Sequence, residues 1–249
     1  MIGIKSGRDI EKMRAAGRLV AECHEMLAQA VKPGITTREL DRMAYDFIKK
    51  RGGYPTFLGY GDFPNSICTS INNEVIHGIP GKRRLKNGDI ISIDLGATLD
   101  GFVGDAARTH AVGKVSEEAQ KLIDVTKQSF FEGIKYARKG YRLSDISHAI
   151  QTYVESNGFE VVTEYVGHGI GRKMHEDPEV PNFGKPGHGP RLCKGMCLAI
   201  EPMVNIGTPD VRELSDGWTV VSADRSLSAH YENTIAITGD SDPEILTLI

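Results

Sequence analysis

Apolar and polar positions along this chain follow two periods, and the switches between them mark its elements. Ile10, Met13, Val20, Leu27 and Val31 recur at helical spacing. Ser6 and Asp9 stand before them in the pattern of a capping box, and Pro33-Gly34 follows as a stop. Thr36 and Glu39 repeat the capping pattern ahead of Leu40, Met43, Ala44, Phe47 and Ile48, and Gly52-Gly53 ends that second helix. From residue 55 to 114 β-branched residues between turn signals predict strands and loops. Ser116 opens a third helix through Leu122, Ile123, Phe130 and Ile134. Ser144 is expected to open a fourth through Ile146, Ala149, Ile150, Tyr153 and Val154, closed by Asn157-Gly158. Residues 159 to 249 read mainly as strands and turns.

The layout repeats. An offset of 106 carries Gly34 onto Gly140, Leu40 onto Ile146, Phe47 onto Tyr153 and Gly52 onto Gly158. An offset of 107 carries Leu85-Lys86-Asn87-Gly88 onto Leu192-Cys193-Lys194-Gly195, and an acid follows each glycine six residues on, Asp94 and Glu201. The chain therefore reads as one α+β domain with pseudo-twofold symmetry, in halves 1–114 and 115–249.

Composition adds only boundaries. The 249 residues are 40% hydrophobic and 25% charged, with a net charge of −3, ordinary for a globular enzyme and no sign of a nucleic-acid surface. No apolar run reaches the length needed to span a bilayer, and Met1-Ile2-Gly3-Ile4-Lys5 lacks a charged-then-apolar signal sequence. Cys23, Cys68, Cys193 and Cys197 form no zinc pattern and are read as reduced thiols. A cytoplasmic protein is the expectation.

Four carboxylates change the picture. Asp94 sits inside Ile90-Ile91-Ser92-Ile93-Asp94-Leu95, a strand-forming run where an acid is disfavoured. Asp100-Gly101 is a two-residue hairpin signal. That turn sets Leu99 opposite Phe102 and Gly96 opposite Asp105, so Gly96 should leave open space beside Asp105. Asp94 and Asp105 then lie diagonally, roughly 7–8 Å apart at the backbone. Glu201 and Glu232 lie in equally apolar runs, and the repeat would carry Asp94 onto Glu201, and Asp105 onto Glu232 if the second hairpin has a longer connection. Burying such acids costs several kcal/mol each unless a cation pairs them. An oxygen-rich cage of this kind suits Mn²⁺, Fe²⁺ or Co²⁺. His168, within Gly167-His168-Gly169-Ile170-Gly171, is a suitable fifth ligand. His175 and His77 stand in similar turn-rich settings, whereas His24, His110 and His148 read as structural and His188 and His230 stay undecided.

At Asn73-Glu74-Val75-Ile76-His77-Gly78-Ile79-Pro80, Gly101-Phe102-Val103-Gly104-Asp105, Gly167-His168-Gly169-Ile170-Gly171, Ile200-Glu201-Pro202 and Tyr231-Glu232-Asn233-Thr234 the chain resembles the methionine aminopeptidases in their short bacterial type I form. The resemblance runs over nearly the whole length. It implies the pita-bread fold, with helices outside a curved antiparallel sheet. It implies two divalent ions (cobalt, manganese, iron or similar) held by Asp94, Asp105, His168, Glu201 and Glu232. It implies a methionine pocket of Phe57, Tyr60, Phe63, Cys68 and Trp218, closed by His77. It further implies proton transfer by Glu201, a hydrogen bond from His175 to the carbonyl oxygen, and substrate positioning by His77. The reaction implied is removal of the initiator methionine from nascent polypeptides, at the ribosome, by a monomer that binds neither nucleic acid nor membrane. Met174, beside His175, and Phe57 depart from the commoner residues of the family and bear on fine substrate preference. A proline-specific pita-bread peptidase and a partner-binding module without catalysis are the competing readings.

Overall fold

Both predicted capping boxes form in the computed structural model, which describes residues 1–249. Ser6 Oγ accepts from the Asp9 amide at 3.2 Å, and the Asp9 carboxylate accepts from the Ser6 amide at 3.0 Å, which starts α1, Gly7–Ala30. Thr36 and Glu39 do the same for α2, Thr37–Lys50. Ser116 caps α3, Glu117–Ile134. The fourth helix begins earlier than the serine signal suggested. α4 spans Leu143–Ser156, and the Arg142 amide donates to the Asp145 carboxylate at 2.8 Å. Ser144 Oγ is taken by the His188 amide, so the acid three residues past the cap satisfies the helix end instead.

Five strands belong to the first half: β1 Tyr54–Pro55, β2 Cys68–Ile71, β3 Glu74–Ile76, β4 Ile90–Leu99 and β5 Phe102–Ala111. The second half contributes β6 Glu160–Val161, β7 Gly167–Gly169, β8 Glu176–Val180, β9 Cys197–Ile200 and β10 Met203–Asn205. It continues with β11 Val211–Glu213, β12 Val220–Ser222, β13 Ser228–His230, β14 Asn233–Ala236 and β15 Glu244–Ile245. β4 and β5 form the predicted hairpin, with Leu99 opposite Phe102 and Gly96 opposite Asp105. Asp100 and Gly101 both have positive φ, as the tight turn requires. The largest sheet runs β15-β14-β9-β7-β8, with every pairing antiparallel.

The repeat is written in hydrogen bonds. Leu85 N donates to Ile35 O at 2.9 Å, and Leu192 N to Tyr141 O at 3.0 Å. Bridges Thr36–Arg84 and Arg142–Arg191 occupy matching places. The two halves meet where Glu232 N donates to Ala107 O at 3.0 Å and Asp105 N to Thr234 Oγ1 at 3.0 Å. One detail differs from the sequence expectation. Asn233 pairs with Ile200, and that register continued by one residue sets Glu232 opposite Glu201. In the first half the residue opposite Asp94 is Ala107. By register Glu232 therefore matches Ala107, and Asp105 lies one pleat further along its strand.

Strand alternation divides the packing. Ile91, Ile93 and Leu95 face α1 and α2, joining Val20, Leu27, Leu40 and Ile48 in one core. Leu198, Ile200 and Ile235 face α3 and α4, joining Leu122, Phe130, Ile146 and Ile150 in another. A third, mixed cluster draws Met13, Phe57, Phe63, Cys68 and Phe102 from one half and Ile170, Met174 and Ala199 from the other. Each large side chain so buried contributes about 1.5–3 kcal/mol.

α1 crosses β5 at a contact between two glycines. A Cβ on Gly104 would lie 2.8 Å from the Gly17 nitrogen, and one on Gly17 would strike the Leu246 carbonyl. Backbone cannot yield there as a side chain would. Gly17→Ala is expected to destabilise the fold by about 2–3 kcal/mol, read from the midpoint of a urea transition. An unchanged midpoint would mean that α1 is not seated this closely.

Candidate metal centre

The alternation that buries Ile93 and Leu95 turns Asp94 to the opposite face of β4, and Asp105 faces the same side from β5. Glu201 directly follows β9 and Glu232 directly precedes β14, at a break in pairing beside Pro202. Each continues the face of its strand that looks away from the α3/α4 core. His168 is the central residue of β7. A Cβ on the neighbouring Gly169 would enter the Asp177 backbone, so only glycine lets β7 lie this close to β8. His168 Nδ1 is 2.9 Å from Gly169 O. A carbonyl only accepts, so Nδ1 carries the proton and Nε2 presents a lone pair to the cavity.

Ligand atoms of Asp105, His168 and Glu232 all lie within 4.8 Å of one another. His168 Nε2 is 3.5 Å from Glu201 Oε1. Asp94 approaches this group from the side of Cys68, its cross-strand partner. Oxygens of Asp94, Asp105 and Glu232 are buried with no hydrogen-bond partner. Burial raises all four carboxyls above their usual range. Asp105 adds to the rise at Asp94, Glu201 and Glu232. Burial lowers His168 to about 4, so its imidazole is neutral near neutral pH. Orphaned oxygens, mutual repulsion and a neutral imidazole make a donor set that fits hard or borderline divalent cations.

These five residues form the floor of a cavity of about 270 Å³. Phe57, Tyr60, Phe63, Cys68, His77, His175 and Trp218 line its walls, with Gly61 and Met174. Every site residue expected from the sequence is therefore at one chamber. The space beside Asp105 is not open as expected. A Cβ on Gly96 would lie 2.9 Å from Phe57 Cε1, so the ring edge fills the place of the missing side chain. Phe63 packs edge-on against Trp218 at 5.0 Å, and His77 lies 6.3 Å from the same indole. Tyr60 Oη is 2.6 Å from His175 Nδ1, and the His175 ring lies 4.3 Å from that of His168. Burial lowers His77 to about 4 and lowers His175 also, so both rings are neutral donors and acceptors near neutral pH.

Sequence reasoning passed over two supports of this floor, Arg108 and Thr234, and left a third, His230, undecided. Arg108 donates to the Glu232 carbonyl and to Asn233 Oδ1, and its guanidinium lies 4.5 Å from the Tyr231 ring centre. Thr234 exchanges hydrogen bonds with the Asp105 backbone. His230 is buried with both ring nitrogens unpartnered, and its Nε2 is 3.7 Å from Glu201 Oε2. Arg108 was detectable by the reasoning that exposed Asp94, a charge within a strand-forming run. His230 carried no such local signal.

The sequence profile of metallopeptidase family M24 matches residues 11–239, and the chain belongs to that family. It is 64% identical to the methionine aminopeptidase of Clostridium acetobutylicum, over 100% of this chain and 99% of that protein. It is 55% identical to methionine aminopeptidase 1 of Bacillus subtilis, over 100% of both. The crystal structure of methionine aminopeptidase from Rickettsia prowazekii superposes with a TM-score of 0.98 at 46% identity, covering 100% of both chains. The pita-bread fold implied by the sequence is thus the fold observed. No helix is long and apolar enough to cross a membrane.

The acid cluster fixes a pH dependence. Carboxyls whose folded-state pKa is raised contribute stability at low pH, and that contribution is lost as pH rises through their folded range. For Asp105 the window runs from its ordinary 3.8 to about 7. Because the buried histidines act in the opposite direction, Asp105→Asn is the reference: from pH 6 to pH 8 the metal-free wild-type protein is expected to lose more melting temperature than Asp105→Asn, and Mn²⁺ to raise the wild-type melting temperature more at pH 8. The same pH response in both proteins, with or without Mn²⁺, would contradict the repulsion described.

Proposed function

We propose that this chain removes the N-terminal methionine from newly made polypeptides whose second residue is small. The observation that carries the reading is the juxtaposition of an aromatic, sulfur-lined pocket with a floor of four carboxylates and a histidine. A thioether is polarisable and contacts ring edges well, so Phe57, Phe63, Cys68 and Trp218 suit a methionine side chain. Asp94, Asp105, His168, Glu201 and Glu232 would hold two divalent ions. Bound there, such ions would acidify water, polarise the scissile carbonyl and receive a free α-amine.

The chain's own groups supply the rest. Glu201 takes a proton from the attacking water and returns it to the leaving amine. His175 donates a hydrogen bond to the carbonyl oxygen as negative charge develops on it. The Tyr60 hydroxyl at Nδ1 orients that ring, and when the hydroxyl donates, Nε2 carries the proton that faces the substrate. His77, at the pocket wall, holds the substrate amide near the pocket. A monomer acting in the cytoplasm on chains leaving the ribosome is the setting proposed. The proline-specific alternative is weakened by the match to methionine aminopeptidases over the full length of both partners.

Methionine release from a Met-Ala-Ser peptide with added Mn²⁺ or Co²⁺ tests the reading, with proline-containing peptides as the comparison. Asp105→Asn is expected to lose metal and activity together. His175→Ala is expected to retain metal and lose about 100- to 1,000-fold in kcat, the scale of a missing oxyanion donor. Cleavage of the proline peptides alone would favour the rival, and an unaffected His175→Ala enzyme would remove that residue from the mechanism.

A further inference from the structure

We propose that Lys5, through a partly buried ion pair with Glu176, is a positioning residue for His175. Lys5 belongs to the extended segment that precedes α1. Its side chain is only 8% exposed, and Nζ lies 2.7 Å from Glu176 Oε2 and 3.1 Å from the Gly3 carbonyl oxygen. An ammonium buried to this degree needs its partner, because alone it would forfeit hydration without compensation.

Glu176 is the residue after His175, and its carboxylate is the hub of the loop that carries His175. Oε1 accepts from the Arg172 amide at 2.9 Å and from the Lys173 amide at 3.2 Å, while Oε2 takes Lys5. The loop is thus wound around one carboxylate, with His175 and the pocket residue Met174 between the points it grips.

Glycines make room for this joint. A Cβ on Gly171 would lie 2.5 Å from Lys5 Cε and 2.7 Å from Glu176 Oε1, and one on Gly195 would lie 2.7 Å from Lys5 O. The Lys5 amide donates to Gly195 O at 2.8 Å, and Gly195 N donates to Ile237 O at 2.9 Å. Gly195 leads into β9 and Ile237 follows β14, the strands beside Glu201 and Glu232. The pair therefore ties the His175 loop to the frame that holds the acidic floor. Displacing a hydrogen-bond donor by about 1 Å is enough to cost a large factor in rate. This inference rests on the aminopeptidase reading for its kinetic consequence, and on the geometry alone for its effect on the loop.

The test combines amide exchange with kinetics on the full-length, Mn²⁺-loaded protein. Lys5→Met is expected to speed exchange at the Arg172 and Lys173 amides by about tenfold or more, with α4 amides unchanged. It is expected to lower kcat on Met-Ala-Ser about tenfold, with KM and Mn²⁺ stoichiometry unchanged. In a His175→Ala background the same change is expected to cost less than about twofold, because its route to the reaction is gone. Glu176→Gln, which keeps an acceptor for the amides and loses the charge, is the second variant should Lys5→Met not fold. Unchanged exchange at Arg172 and Lys173, or an equal loss of kcat in both backgrounds, would overturn the proposal. Wild-type protein that releases no methionine would refute the aminopeptidase reading, while the exchange measurement would still decide whether Lys5 holds the loop.

Discussion

Four carboxylates cannot share a buried chamber as anions without a countercharge, and much of this molecule is arranged around that constraint. Asp94, Asp105, Glu201 and Glu232 face one another across the seam between the halves, and three of them bury an oxygen with no partner. No lysine or arginine lines the chamber. The nearby half-buried cation, Arg108, directs its donors to the Glu232 carbonyl, to Asn233 and to Thr247. Protonation relieves that repulsion at low pH, and near neutral pH a divalent cation would relieve it instead, so the floor favours metal where its carboxyls ionise.

Duplication explains how one chain achieves this. Each half places helices over one face of its strands and leaves the other face for the seam. The same alternation that buries Ile93 and Ile200 in separate cores sends Asp94 and Glu201 inward. The symmetry is not strict. Glu232 stands directly across from Glu201, whereas Asp105 is a diagonal neighbour of Asp94. Asp94 and Glu201 both lie outside the tight group of Asp105, His168 and Glu232.

Much of this was legible in the sequence because its causes are local. Capping boxes, the Asp100-Gly101 turn and acids inside apolar strands announce themselves within a few residues. The hairpin register followed from the turn alone. What escaped depends on contacts between distant segments. Phe57 fills the space beside Asp105, and no pattern around residue 57 says so. The start of α4 moved because Ser144 is engaged by His188 rather than by its own helix. Lys5 meets Glu176 across 171 positions of chain, and neither residue is unusual where it stands.

In the proposed reading, five side chains from both halves form one cage for two cations. Anomalous diffraction from a crystal of this protein soaked in Mn²⁺ tests it most directly. Two peaks are predicted in the chamber, between them within bonding distance of Asp94, Asp105, His168, Glu201 and Glu232. Peaks only elsewhere, or a chamber that stays free of Mn²⁺ at saturating concentration, would contradict it.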